Sequence, residues 1–429
     1  MRYSKLFGKT AKNVSADLES RNAQLLTKGG FIDQLTAGVF TYLPLGLRVL
    51  DKIKNIVREE MDAIGGQEIL MPALTPKEPW VATGRWTDPG KEVMFQLEGH
   101  GEKEYGLGWT HEEIVTPLVK KFVHSYKDLP VTVYQIQDKF RNEPRAKAGL
   151  LRGREFSMKD LYSFHRDEAE LEAYYEKAKQ AYLNVFRRCG IDALIVEAAG
   201  GSFARFSHEF QVLTPAGEDT VFHCPKCRWT QNLEVAEVKA GDRCPKCGKA
   251  DIAEDKAIEV GNIFLLKTKY TAPFDFKYVD ENGKEQPVMM GCYGIGPSRV
   301  MGTVVELNND ANGIKWPTSI APFDLHLIEL KSKDEKVKMT AEKIYKTLGE
   351  MGLDTLYDDR EDKAAGEKFA DADLIGIPKR LVVSEKTLKA ESIEIKDRES
   401  GETKMVKFVD LGKELESYFS CGCGEEHHH

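Results

Sequence analysis

No stretch of this sequence approaches the roughly 20 consecutive apolar residues that cross a bilayer. The opening Met1-Arg-Tyr-Ser-Lys-Leu-Phe-Gly-Lys-Thr10 also lacks the apolar core of a secretory leader. A cytoplasmic protein with no membrane partner is therefore expected. Cysteine is scarce, eight in 429 residues, and too unevenly spread for a disulfide framework. Internal repeats and low-complexity tracts are missing, which excludes solenoids and repeat arrays. Nor is there an excess of positive charge. With a formal net charge of -8, any nucleic-acid partner must be met by local basic patches.

What is present is an ordinary globular composition, 41% hydrophobic and 30% charged, in a chain longer than one core usually serves. Two domains and a small third module are expected. Leu50, Ile53, Val57, Met61 and Ile64 follow the three-and-four spacing of one helix face, predicting a long helix over 45–64 that stops at Gly65-Gly66. Residues 67–75 read as a strand ending at Pro72, whose missing N–H suits an edge or an interface. Two β-prone runs, 131–136 and 154–164, flank a loop rich in Arg, Lys and Gly. Further along, 167–188 reads as a charged helix, 288–296 as a strand and 297–308 as a helix. Trp316-Pro-Thr-Ser-Ile-Ala-Pro322 reads as a linker, since its prolines end regular structure on both sides. Beyond it, a strand at 325–330, a capping box Ser332-x-x-Glu335 before a helix faced by Val337, Ala341, Ile344 and Leu348, strands near 353–357 and 380–383, a helix around Lys368 and a hairpin at Ser400-Gly401 predict a small α/β domain.

Two segments carry phosphate-binding chemistry. In Phe140-Arg-Asn-Glu-Pro-Arg-Ala-Lys-Ala-Gly-Leu-Leu-Arg-Gly-Arg-Glu-Phe156, Arg141 and Glu143 are two residues apart and so expected on one side of a strand. Guanidinium forks bind phosphate oxygens bidentately, a carboxylate accepts from an exocyclic amine, and an aromatic face stacks on a base. Gly291-Cys-Tyr-Gly-Ile-Gly-Pro-Ser-Arg299 lets backbone approach a ligand closely while Arg299 supplies charge from a helix start. It is neither a P-loop, lacking Gly-Lys-Ser/Thr, nor a dinucleotide fingerprint.

Cys224-Pro-Lys-Cys227 and Cys244-Pro-Lys-Cys247 are spaced as a four-cysteine Zn²⁺ site. Four thiolates leave no open coordination position, so such a metal is structural. Two disulfides are the alternative, disfavoured in a reducing compartment.

Taken in order, Thr110-His-Glu-Glu113, Arg154-Glu-Phe-Ser-Met-Lys-Asp160, Ser207-His-Glu-Phe210, Gly261-Asn-Ile-Phe264 with Thr268-Lys-Tyr270, and Gly291-Cys-Tyr-Gly-Ile-Gly296 resemble the signature segments of the prolyl-tRNA synthetases, a class II aminoacyl-tRNA synthetase family. The likeness runs from about Lys5 to Leu415. It implies an α+β fold: an antiparallel sheet flanked by helices in a catalytic domain (1–321), a zinc-ribbon insertion within it (222–256), an α/β anticodon-binding domain (322–420), and a tail ending in a histidine tag (421–429). It also implies a homodimer joined through residues 45–72.

By resemblance, Arg141 would hold the ATP α-phosphate and the proline carboxylate, Glu143 would face adenine, and Arg152 and Arg299 would take the outer phosphates with Mg²⁺. Phe156 would stack on adenine. Thr110 and Glu112 would bind the imino group of proline, with His208 and Cys292 lining that pocket. Arg360 and Lys368 are the candidates for reading tRNA(Pro) anticodon bases. The large editing domain of many bacterial relatives is replaced by the ribbon alone, implying no editing of Ala-tRNA(Pro) in cis. Three positions depart from the family pattern: Trp109 where proline is usual, Leu265 where glutamine is usual, and Lys267 where glycine is usual. A catalytically silent, synthetase-like tRNA-binding protein is the competing reading; it predicts damage at these arginines or at Thr110 and Glu112, and none is visible.

Overall fold

The computed structural model describes residues 1–15, 18–146, 148–201, 203–204 and 206–420. Cys421, Cys423 and the rest of the tail lie outside the described residues. The long helix forms as the spacing requires. Helix α1 (Pro44–Ala63) begins with proline at its first turn, where the missing N–H costs nothing, and buries Leu50, Ile53, Val57 and Met61 along one stripe. It ends where Gly65 takes a φ of 88°, a left-handed conformation that glycine adopts without penalty. Among the described residues, no helix is long and apolar enough to cross a membrane.

The strand expected over 67–75 is broken into two pieces that serve different sheets. Only β1 (Gln67–Glu68) joins the main sheet, parallel to its neighbour. Residues 74–76 pair instead with 104–107 in a small three-stranded sheet. The physical reason sits at Pro72, which cannot donate to a ladder. Just before it, the Met71 N–H leaves the ladder for the Gln135 side-chain oxygen at 2.9 Å.

The main sheet comprises β1, β2 (Val131–Phe140), β3 (Glu155–His165), β4 (Leu194–Ala199), β5 (Phe206–Leu213), β6 (Asp219–His223), β7 (Thr230–Asn232), β8 (Ala253–Lys267) and β9 (Met289–Ile295). In space the order is β5-β4-β7-β6-β8-β9-β3-β2-β1, with β5 also pairing β8. All pairings are antiparallel except β1 with β2 and β7 with β4. Helices pack on both faces: α2 (Glu112–Lys120) sets Val115 and Val119 against Tyr162, Phe164 and Met290, while on the opposite face α3 (Glu168–Arg188) packs Tyr174, Tyr182, Val185 and Phe186 into the core with Phe210 and Ile263. The α3 start is capped by Asp167, whose carboxylate accepts the Glu170 N–H at 2.9 Å. Helix α4 (Pro297–Leu307) follows β9 directly.

Residues 316–322 form no helix or strand, as expected of a linker, yet Trp316, Ile320 and Ala321 are buried in the main core. The second unit orders its strands β11-β10-β12-β13-β14, where β10 is Leu325–Glu329, β11 Thr355–Asp358, β12 Lys379–Val383, β13 Ser392–Asp397 and β14 Thr403–Lys407. The β10 pairings with β11 and β12 are parallel, and the rest antiparallel. Helix α5 (Glu335–Glu350) buries the expected face, Val337, Ala341, Ile344 and Leu348. Its cap is not the expected Ser332–Glu335 box. Asp334 accepts the Lys336 N–H at 3.0 Å, while the Ser332 hydroxyl turns away to Glu385; a carboxylate one residue from the helix start outcompetes a hydroxyl three residues away. Helix α6 (Ala365–Ile375) ends at Gly376, φ 79°.

Candidate functional site

A cavity of about 460 Å³ opens over the middle of the main sheet, where β3, β8 and β9 run side by side. Arg141, Glu143, Arg152, Phe156, Thr110, Cys292 and Arg299 all line it, so the tertiary fold gathers residues from widely separated segments into one site. Arg141 and Glu143 are not on a strand, as the two-residue spacing suggested. Strand β2 ends at Phe140, and a tight turn closed by the Glu143 N–H on the Arg141 carbonyl (2.7 Å) sets both side chains on the cavity wall. Phe156 supports the Arg141 guanidinium, whose carbon lies 5.1 Å from the ring centre.

The charges are unevenly satisfied. Arg299 donates to the Glu259 carboxylate at 2.6 Å and to the Leu151 carbonyl at 2.9 Å. Arg152 lies 3.0 Å from Glu143 and 2.5 Å from Glu218. Arg141 has no ion pair among the described residues, and its Nε is shut from solvent without a hydrogen-bond acceptor. Burial and the neighbouring Arg299 pull its guanidinium below the ordinary arginine range, to about 10. A half-buried cation with no ion pair among the described residues, beside another cation, calls for an anion. Asp219 and Glu259 face the same space, and burial reinforced by Glu259 raises Asp219 above the usual carboxylate range.

The opposite end of the cavity is built on the α2 start. Thr110 donates to Glu112 at 2.6 Å, and the Cys292 thiol donates to its other oxygen across 3.2 Å. Burial, then the Glu112 charge, pushes Cys292 far above the ordinary thiol range, so it remains a neutral donor. The sequence reading missed Arg85, which bonds Glu112 at 3.0 Å and Glu113 at 3.1 Å. Its guanidinium lies against Trp109 (4.1 Å) and Phe203 (4.8 Å). Trp109, the departure from proline, is thus a wall of the arginine's slot. No motif marks Arg85; a tryptophan beside an arginine in Gly84-Arg-Trp86 is the only local hint.

Beneath the carboxylate a second missed group fixes the backbone. Lys139 donates to the His111 ring at 2.8 Å and pairs with Asp160 at 2.9 Å, while the other His111 nitrogen meets the Pro72 carbonyl. Burial and Lys139 lower His111, so a neutral ring bridges lysine to carbonyl. Burial alone would raise Asp160; the Lys139 charge and the hydrogen bonds from Lys139 and Gln135 outweigh it and hold it low.

Three expected residues fall elsewhere. His208 does not line the cavity: its ring meets the Tyr175 hydroxyl of α3 at 2.8 Å, on the face of β5 that also carries Phe210 into the core. Alternation along β5 turns His208 and Phe210 toward the helix. Arg360 and Lys368 are corrected as free base-reading groups. Arg360 is saturated by Asp358 (2.6 Å) and Asp371 (2.8 Å) and stacks on Tyr3 at 4.0 Å; buried Lys368 donates to the Glu329 carbonyl at 2.6 Å. Arg360 thereby ties the second unit to the N-terminal segment, whose Arg2 bridges to Tyr357.

The four ribbon cysteines converge, with Sγ atoms all within 4.8 Å of one another. The Cys224–Cys247 and Cys227–Cys244 separations are 3.7 and 3.6 Å. A tetrahedral ion with metal–sulfur bonds near 2.3 Å has edges of about 3.8 Å, so the donor set fits one metal; the separations exceed a disulfide bond by far.

These features define a class: a sheet-borne nucleotide and amino-acid site joined to a small α/β unit. Residues 95–308 match the tRNA synthetase class II core domain (G, H, P, S and T), and 324–418 match the anticodon binding domain. The chain is 34% identical to the proline–tRNA ligase of Desulfitobacterium hafniense, over 97% of this chain and 98% of that one, and 35% identical to that of Desulforamulus reducens, over 96% and 98%. It belongs to the proline–tRNA ligase family. The fold also matches a Giardia lamblia prolyl-tRNA synthetase solved with prolyl-adenylate (TM-score 0.77, 19% identity, 92% of this chain and 78% of that one) and a Cryptosporidium parvum prolyl-tRNA synthetase solved with halofuginone and AMPPNP (0.77, 16%, 96% and 80%). The first alignment spans 568 positions against 429 residues here, so a large segment of that relative has no counterpart in this chain.

Proposed function

We propose that this chain activates proline with ATP and transfers it to tRNA(Pro). The observation that carries this is Arg141, without an ion pair among the described residues, lining one cavity with Thr110 and Cys292, the two donors to buried Glu112. The proline carboxylate attacks the α-phosphorus of ATP, pyrophosphate leaves, and a ribose hydroxyl of the tRNA end then attacks the carbonyl of the adenylate, releasing AMP. No side chain need transfer a proton in the first step; positioning and charge neutralisation suffice. Arg141 takes the α-phosphate and the amino-acid carboxylate, while Arg152 and Arg299 shift from their carboxylate partners to the outer phosphates. Glu143 and Phe156 meet adenine. Glu112 pairs with the secondary ammonium of proline, Thr110 accepting from it, and the neutral Cys292 thiol closes the ring pocket.

Asp219 and Glu259 supply the hard oxygen donors that fit an Mg²⁺ accompanying the phosphates, which would neutralise the leaving pyrophosphate. Cys224, Cys227, Cys244 and Cys247 would hold a structural Zn²⁺. On this reading 1–321 is the catalytic domain with 222–256 inserted, and 322–420 contacts the anticodon arm. Two copies associate through α1 and the segment after it, where Leu47 and Leu70 are exposed. The protein works in the cytoplasm, and Ala-tRNA(Pro), once made, is not hydrolysed in cis.

Pyrophosphate exchange with proline, alanine, cysteine and histidine tests the reading. Proline-dependent exchange that vanishes in Arg141→Ala is expected; exchange with none of the four would sink it. Rapid hydrolysis of Ala-tRNA(Pro) by the purified chain would overturn the loss of editing.

A further inference from the structure

The four-cysteine module is joined to the active-site cavity without a flexible linker. Asp219 at one end of β6 and Ala257 in β8 line the cavity and pair with each other. At the other end of the same ladder His223 pairs with Ala253, and the chain runs straight into Cys224. Five residues of strand at ~3.3 Å each place the metal cluster roughly 15 Å from the cavity rim. The module is therefore held at a set distance from the place where the adenylate forms.

Its tip is basic in a chain that is net acidic. Segments 224–228 and 243–250 contain Lys226, Arg228, Arg243, Lys246 and Lys249 and no carboxylate. Two of these cations are balanced from outside: Arg228 pairs with Asp192 at 2.8 Å and Arg243 with Asp251 at 3.2 Å. Lys226, Lys246 and Lys249 are exposed, and none has an ion pair among the described residues. Lys226 and Lys246 occupy the same place in the two Cys-Pro-Lys-Cys turns, between two thiolates that converge on one centre. Both therefore project from the metal end of the module.

We infer that this tip is a docking surface for the phosphate backbone of the tRNA arm that delivers its 3′ end to the cavity. The inference rests on the ligase reading above. An RNA whose terminal ribose reaches the adenylate must pass the cavity rim, and three unpaired cations fixed ~15 Å beyond that rim meet its polyanionic backbone with no sequence requirement. The module then performs a positioning task that the activation half-reaction does not need.

The test compares wild type with the triple variants Lys226→Glu/Lys246→Glu/Lys249→Glu and Lys226→Gln/Lys246→Gln/Lys249→Gln, each checked for metal content. Proline-dependent pyrophosphate exchange is expected to stay within about 2-fold of wild type. The KM for tRNA(Pro) in aminoacylation should rise at least ~10-fold in the Glu variant and less in the Gln variant. The slope of log kcat/KM against log salt should fall by roughly 2–3 units, as three lost phosphate contacts require. A tRNA KM and salt slope unchanged in a metal-loaded variant overturn the inference. Should the lysines instead serve to balance the thiolate charge, the variants lose metal and the Gln variant's salt slope stays at the wild-type value, which also overturns it. Wild type inactive in pyrophosphate exchange defeats the ligase reading; direct tRNA binding by the same variants then decides the surface.

Discussion

Arg85 and Glu112, 27 positions apart, meet at 3.0 Å where neither is exposed to more than a trace of solvent. The same nitrogen reaches Glu113, so one guanidinium holds two adjacent buried carboxylates. Burial lifts Glu113 above the usual carboxylate range, and Glu112 adds to that lift against the pull of Arg85. Without the cation, two carboxylates side by side cannot both stay ionised, and the hydrogen bond that fixes the Glu112 carboxylate for a secondary ammonium is lost. Arg85→Met is expected to raise the KM for proline about 10- to 100-fold, the loss of ~1.5–3 kcal/mol of charged hydrogen bonding. The KM for ATP should not move, and Arg85→Lys should restore part of the loss. An equal rise in both KM values would show that the pocket had collapsed instead.

Lys267 has a φ of 52° at a bulge in β8, in the left-handed region. Glycine, the usual residue there in the family, enters that region freely. The Lys267–Glu168 pair at 2.8 Å is half exposed, and such pairs contribute ~1 kcal/mol at most. Lys267→Gly is therefore expected to leave stability unchanged or raise it by up to ~1 kcal/mol. A melting temperature lowered by several degrees would show that the pair outweighs the backbone strain.

Arg360 sits between Asp358 and Asp371 with 7% of its side chain exposed. Removing one partner of a buried ion pair leaves uncompensated charge and costs ~3–5 kcal/mol. Arg360→Gln should lower the melting temperature by roughly 10 °C or more without any tRNA present. A residue reading anticodon bases from a free surface would leave melting untouched and change only tRNA affinity.

His326 is fully buried beside Tyr3, and neither ring nitrogen has a hydrogen-bond partner. Burial lowers it from an ordinary 6.5 to about 4. The unfolded chain therefore binds a proton between these values that the folded chain refuses, so stability is lost as pH falls from 6.5 toward 4. His326→Phe should melt increasingly higher than wild type as pH drops through that window. A difference independent of pH would assign the effect to packing alone.

Chelation under mild acid should strip about one metal per chain from the four cysteines, because the thiolates must be protonated to release it. Limited proteolysis should then cut within 224–252 first. Resistance of that segment after complete metal loss would show that its small core, Phe222, Cys224, Cys244 and Ile252, folds unaided.

Much of the site was legible because its chemistry is carried by residue types at short spacing. The two Cys-Pro-Lys-Cys turns, the arginines of the 140–156 loop and Thr110-x-Glu112 are each local patterns; the fold gathers the four thiols at one centre and sets Arg141, Arg152 and Thr110 on one cavity. Arg85, Lys139 and Asp160 were not legible. Each is an ordinary charged residue whose role comes from burial against partners far away along the chain, and no local period encodes that. His208 misled for the converse reason: its motif is local, but the face of β5 it occupies depends on which side α3 covers.

By itself the sequence determined the elements and the reaction class. Helix faces follow from three-and-four spacing, chain breaks from proline and glycine, and metal and phosphate chemistry from thiolates and guanidinium groups. Only the tertiary structure decided which charges are free. Arg141, Arg152, Arg299 and Arg360 are alike as arginines. One is half-buried in a cavity wall with no ion pair among the described residues, two are held by carboxylates at its rim, and one is locked between two aspartates. That difference is set by desolvation and by partners assembled from distant segments, neither of which has a value until the chain is folded.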